Sequence, residues 1–217
     1  MQITNNTITV LKNFSTINLS IVIKEGNVLE TISPSKSIWA KAKVDTTFPK
    51  RFAMYNLNKL ISTLSLFENP SITFNDKDLV VSDGNKSMHL TYSDESTIIK
   101  VPEKNVKLPE IDVSVAITNS NIKDIERALG VLSVPHIVIA GDGSKIYIRA
   151  ADVKNPTGDL YSIELGETDK TFTAVFKSEN IKVLPGDYTV DICLKGISRF
   201  YNDDVEYFIA VEKSSDL

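Results

Sequence analysis

The chain is poor in residues that do chemistry. Its 217 residues include one cysteine and two histidines. A lone cysteine excludes an internal disulfide and a cysteine-rich zinc module, and suits a reducing compartment. Cys193 sits in the apolar run Tyr188–Leu194 and reads as a small core hydrophobe. His89 and His136 each fall in strand-like runs, without a partner at metal-ligand spacing. No apolar run approaches the roughly 20 residues a membrane helix needs. The opening MQITNNTITV lacks the basic segment and apolar stretch of a secretory signal. There is no Gly-x-Ser-x-Gly elbow. Ala140–Lys145 (AGDGSK) has glycines at the wrong spacing for a phosphate loop and reads as a hairpin turn. The pairs Asp76/Asp78 and Asp203/Asp204 lie between strand-like runs, where Asp serves turn chemistry rather than a metal. These absences disfavour an enzyme, a cofactor, a metal site and a membrane partner.

What is present is an ordinary globular composition, 42% hydrophobic and 24% charged, which excludes a disordered chain. The net charge of −4 argues against a protein coated with nucleic acid. It leaves room for basic residues gathered on one face. Strand signals dominate. Ser37–Val44 alternates, with Ile38, Ala40, Ala42 and Val44 on one face and Ser37, Trp39, Lys41 and Lys43 on the other. Similar runs are Ser71–Phe74, Leu79–Ser82, Ser87–Tyr92, Thr97–Val101, Ile111–Ile117, Lys145–Ala150, Leu160–Leu165, Thr171–Phe176, Tyr188–Leu194 and Val205–Val211. Many short strands and only four helix candidates predict an α+β protein rich in antiparallel sheet.

The chain also says nearly the same thing twice. A helix over Thr7–Asn18 leads into Ser20–Ile23 and a turn; a helix over Asn121–Leu132 leads into His136–Ile139 and a turn. Second helix candidates, Tyr55–Leu66 and Ser178–Leu184, each introduce further strands. The segment 102–109, bracketed by Pro102 and Pro109, falls near the midpoint and reads as a connector between domains 1–101 and 110–217. Each helix has one apolar stripe for a sheet and one polar face. The polar faces carry Lys12, Lys59, Lys123, Arg127 and Lys182, with Lys177 just before the fourth; Asp124 and Glu126 dilute the third.

Thr7–Ile23, with Leu11-Lys12-Asn13-Phe14-Ser15-Thr16-Ile17-Asn18, resembles the start of the DNA polymerase sliding clamps of T-even-type bacteriophages. Tyr55-Asn56-Leu57-Asn58-Lys59-Leu60 and Leu64-Ser65-Leu66 continue the resemblance. So do Leu184-Pro185-Gly186-Asp187-Tyr188, Gly196-Ile197-Ser198-Arg199-Phe200 and Tyr207-Phe208-Ile209-Ala210-Val211-Glu212. It covers essentially the whole chain, in order. It implies two similar processivity-fold (DNA clamp) domains, each with two helices packed on antiparallel sheets. Three subunits would close into a homotrimeric ring lined by twelve helices around duplex DNA.

The implied partners are the DNA polymerase, an ATP-driven clamp loader and late-transcription factors, in the cytoplasm of an infected bacterial host. Lys12, Lys59, Lys123, Arg127, Lys177 and Lys182 become the DNA-facing candidates. A partner-peptide pocket would use Val106, Leu108, Phe208, Ile209 and Ala210, and Thr97–Val101 would pair with Leu160–Leu165 of the next subunit. The alternative is a non-enzymatic phage or viral structural protein of duplicated β-rich domains.

Overall fold

The computed structural model describes residues 1–102 and 106–212. The chain separates into two compact units, Met1–Lys104 and Asn105–Leu217. The first runs α1 (Asn5–Ile17), β1 (Ile21–Ile23), β2 (Gly26–Ile32), β3 (Ile38–Phe48), β4 (Phe52–Met54), α2 (Leu57–Ser65), β5 (Ser71–Phe74), β6 (Asp78–Asp83) and β7 (Lys86–Thr91). The second runs β8 (Val113–Ile117), α3 (Asn119–Leu132), β9 (His136–Asp142), β10 (Lys145–Ala151), β11 (Tyr161–Glu167), β12 (Thr171–Lys177), β13 (Tyr188–Ile192), β14 (Ile197–Tyr201) and β15 (Val205–Ala210). All the strand pairings within each unit are antiparallel.

Each unit is itself duplicated. A lead strand, a helical segment and three strands occur twice, and the two halves exchange lead strands. In the second unit β12 pairs with β9 of the first half, while β8 pairs with β13 of the second. In the first unit β4 pairs with β1. Met1, in the lead-strand position, exchanges two 2.7 Å backbone bonds with Ile72 on β5. Reciprocal exchange ties each half into the other's sheet, so neither half can detach without breaking a ladder.

The core of the second unit lies between its two sheets. Tyr207 and Phe200 sit opposite each other on β15 and β14 and therefore share a face. From that face Phe200 meets Phe176 of β12 edge-on, ring centroids 5.6 Å apart. Tyr207 meets Tyr188 of β13 at 6.2 Å. In the first unit Phe52 is the hub, 6.0 Å from Phe48, 5.4 Å from Phe74 and 5.3 Å from Tyr92.

The α+β class, the two similar domains and the antiparallel sheets match expectation. The expected two helices in the second unit do not: Ser178–Leu184 forms only a 3-10 turn at Ser178–Asn180. Nucleating a helix is costly and needs its first turn satisfied. The three α-helices have that help, with Thr4, Asn56 and Thr118 side chains accepting from Thr7, Lys59 and Asn121 amides. Lys177 offers no such cap, and Pro185 biases Leu184 away from helix.

The run Thr97–Val101 also differs from its expected strand. It begins in a 3-10 turn, Glu95–Thr97; Ile98 is extended, and residues 98–101 lie in no strand among the described residues. Three strands lay outside the expected runs: β2, β4 and β14. Trp39 is buried rather than turned outward, because β3 begins buried on both faces and alternates only from Ala40 onward.

Candidate nucleic-acid interface and partner surfaces

α1 is held by its buried stripe of Val10, Leu11, Phe14 and Ile17, and packs on β3, β2 and α2. Thr7 lies in the same stripe and bonds to Thr46 of β3. α2 buries Leu57, Leu60 and Leu64, with Thr63 donating to the Lys59 carbonyl. Lys12 and Lys59 stand on the opposite, exposed faces, and neither makes an ion pair among the described residues. The rest of these exposed faces is amide and hydroxyl: Asn5, Asn6, Thr9, Thr16, Asn58 and Ser62.

α3 buries Ile122, Ile125 and Ala128 and lies against β10 and β11. Leu129 and Leu132, expected inside, are half-exposed. Lys123 and Arg127 are exposed as expected, but the Arg127 guanidinium lies 3.3 Å from Asp124. Lys177 closes β12 rather than preceding a helix, 3.9 Å from Glu212. Lys182 follows the 3-10 turn and is half-buried, its amide bonded to the Asn180 carbonyl. The six cations therefore differ: Lys12 and Lys59 of the first unit make no ion pair among the described residues, whereas Arg127 and Lys177 of the second lie beside Asp124 and Glu212.

On β15, Phe208 and Ala210 share one face, opposite Arg199 and Ile197 of β14; Ile209 faces the core with Tyr207. Phe208 is 4% exposed and lies 5.9 Å from the Arg199 guanidinium carbon, while Ile209 is fully buried. Val106 and Leu108 are half-buried. Residues 103–105 of the expected connector fall outside the described residues.

A further apolar surface joins Leu160 and Tyr161, in the run expected at a subunit contact, to Val131, which the sequence did not single out. Val131 at the end of α3 is 82% exposed, and Leu160, just before β11, and Tyr161, its first residue, are 54% and 40% exposed. Together with Ala128 and Leu132 they line one open apolar depression, rimmed by Asp124 and Arg127. β11 is an edge strand, paired only with β10 among the described residues. The available signal was Val131 itself, an apolar residue off the α3 stripe.

His89 and His136 have structural partners. His89 Nδ1 bonds to Asp78 at 2.9 Å, and with Asn75 it holds the Asp78 carboxyl below its usual range. His136 Nδ1 accepts from the Val153 amide at 3.4 Å. Asp203 and Asp204 lie in a turn, where Asn202 Oδ1 accepts from the Asp204 and Val205 amides.

Two family models span nearly all of this architecture. A DNA polymerase processivity factor model matches residues 4–100, and the model of the gp45 sliding clamp, C terminal, matches 114–213. The sliding clamp of Vibrio phage KVP40 is 32% identical, with 98% of this chain and 99% of that protein covered. The chain belongs to the sliding clamp family. The clamp of Escherichia phage RB69 is 28% identical over 99% of this chain and 98% of its own. The fold extends further: the PCNA of A. fulgidus, solved with the C-terminal region of FEN-1 bound, superposes with a TM-score of 0.71 at 13% identity, covering 96% of each chain. This clamp is thus a phage-type DNA polymerase processivity factor. No helix among its described residues is long and apolar enough to cross a membrane.

Proposed function

We propose that three copies of this clamp close head to tail into a ring around duplex DNA and hold the replicative polymerase to its template, with no catalytic step of their own. The carrying observation is the family membership over the whole chain, joined to two similar units that each leave an unsatisfied edge. In the first unit, residues 98–101 lie in no strand among the described residues, with Ile98 extended; in the second, β11 is paired on one side only among the described residues. Adding one to the other across subunits would satisfy both. A head-to-tail contact that closes by rotation makes a ring. The apolar depression at Val131 and Leu160 would then be covered rather than wet.

Under this reading the connector is 102–109, between domains 1–101 and 110–217. Lys12, Lys59, Lys123, Arg127, Lys177 and Lys182 supply cations toward the DNA backbone. Such contacts position without reading sequence, so the tether is topological and the ring slides.

A partner peptide, from the polymerase or from late-transcription factors, would dock at Val106, Leu108, Phe208 and Ala210, with Ile209 fixing the strand from behind. The A. fulgidus PCNA, which shares this fold, binds the C-terminal region of a partner protein, FEN-1, and that supports a peptide partner here without fixing its position. A closed ring needs an ATP-driven loader, and the place of action is the cytoplasm of the infected host.

The test has two parts. Light scattering should give about 72 kDa, three subunits of 24.0 kDa. Processive extension on a primed circle should require clamp, loader and ATP together. A monomer that leaves polymerase unaffected in the complete mixture overturns the proposal.

A further inference from the structure

We infer that backbone contact with DNA is uneven within each subunit, carried mainly by the α1–α2 pair of the first unit and held down by acids on the second. The inference rests on the ring reading above and assigns its DNA face residue by residue.

Charge is divided unequally between the units. Residues 1–104 hold 12 Lys and Arg against 10 Asp and Glu; residues 105–217 hold 12 against 18. The acidic balance of the whole chain thus belongs to the second unit. On the helices the contrast sharpens. Neither α1 nor α2 contains an acidic residue, so Lys12 and Lys59 are their only charges. The two helices pack against each other, which joins their exposed surfaces into one field of amides and hydroxyls bearing two lysines.

α3 presents Lys123 and Arg127 with Asp124 and Glu126 on the same 14-residue helix, for a net charge of zero. Arg127 is 77% exposed, so its 3.3 Å approach to Asp124 adds little stability. It does, however, place a carboxylate where a phosphate would have to approach. Where the fourth helix was expected there is only a three-residue turn containing Glu179.

Sliding needs this weakness. A phosphate contact releases counterions, and each neutralised phosphate steepens the salt dependence of affinity by about one unit. Cations along the whole lining would grip the backbone. One lysine per helix on the first unit, set among neutral groups that exchange hydrogen bonds with water, attracts DNA without holding it.

Two double substitutions and the native clamp test this, each confirmed to keep the ring mass. Affinity for a linear duplex is followed by fluorescence anisotropy between about 50 and 200 mM salt. Lys12→Gln/Lys59→Gln should lower affinity several-fold and flatten the salt slope by about one unit or more. Asp124→Asn/Glu126→Gln should act the other way, raising affinity several-fold, steepening the slope and slowing the loaded clamp on a circular template. A gain cannot arise from misfolding. If the lysine pair has no effect, or removing the α3 acids leaves both affinity and slope unaltered, the inference is overturned while the ring reading stands. Failure of the native clamp to be retained on a circle after loading overturns both.

Discussion

The Thr7 hydroxyl donates to Thr46 Oγ1 at 2.9 Å, a buried bond that fastens α1 to β3. It closes a small polar ring. The Thr46 amide returns to Thr7 Oγ1 at 3.3 Å, and Thr46 Oγ1 also accepts from the Thr4 amide at 3.1 Å. Thr4 in turn caps the helix through the Thr7 amide. Helix start, helix stripe and strand are thus set by three hydroxyls.

Replacing Thr46 by Val keeps the shape and removes an acceptor from two donors. The expected loss is about 1–3 kcal/mol, read as a lower urea midpoint with unchanged slope. Thr9→Val on the exposed side of the same helix should stay within about 0.5 kcal/mol. Equal effects at the two positions would mean that the polar ring does not anchor α1.

Gly141 of β9 marks a close approach. A Cβ there would sit 2.6 Å from the Lys170 carbonyl oxygen and 2.6 Å from a ring carbon of Phe172. The aromatic ring could shift. The carbonyl cannot, since it also accepts from the Gly143 amide at 3.1 Å. Gly141→Ala should cost about 1–3 kcal/mol through overpacking, measured by thermal unfolding. Retention of native stability would show that β12 yields at this point.

Two buried phenols are expected to contribute to loss of stability at alkaline pH. Tyr188 donates to the Leu184 carbonyl at 2.7 Å, and Tyr207 accepts from the Leu184 amide at 3.1 Å. Burial pushes both phenols well above their ordinary value of 10.0. A raised acid keeps its proton longer folded than unfolded. Its stabilisation is therefore complete below pH 10 and declines as pH rises further, because the unfolded chain alone ionises. Urea midpoints taken from pH 9 upward should fall, and less steeply in Tyr207→Phe. That variant should also lose about 1 kcal/mol at neutral pH, where the Leu184 amide loses its acceptor. An alkaline slope unaltered by the substitution would remove Tyr207 as its source.

Much of this fold was legible because its signals are local. β5 coincides with its expected run, and all three α-helices combine an apolar stripe with a capping Thr or Asn. Where a stripe lacked a cap, at Ile181 and Leu184, no helix formed. β2 was hidden by its turn-like start, Gly26 and Asn27, and by a bulge before Val28. The exchange of lead strands is set by pairings distant in sequence, which periodicity cannot report. Exposure of Lys12, Lys59, Lys123 and Arg127 followed from helical spacing, whereas the Asp124–Arg127 contact and the exposed Val131 needed coordinates.

Val131 offers the sharpest test of ring closure. At 82% exposed, it contributes little to the stability of its own unit. Leu160 precedes β11, and both residues line the same apolar depression. If that depression is covered by a neighbouring subunit, a charge placed in it loses solvation on assembly, at a cost of several kcal/mol per interface. Val131→Asp and Leu160→Asp should therefore move the particle from about 72 kDa to its 24.0 kDa subunit. Their unfolding midpoints, measured at concentrations where the native protein is also dissociated, should stay near native. Loader-dependent polymerase stimulation should fall with ring mass. A trimer that survives both substitutions would place closure elsewhere, and a monomer that also unfolds early would assign Val131 to the fold of the unit instead.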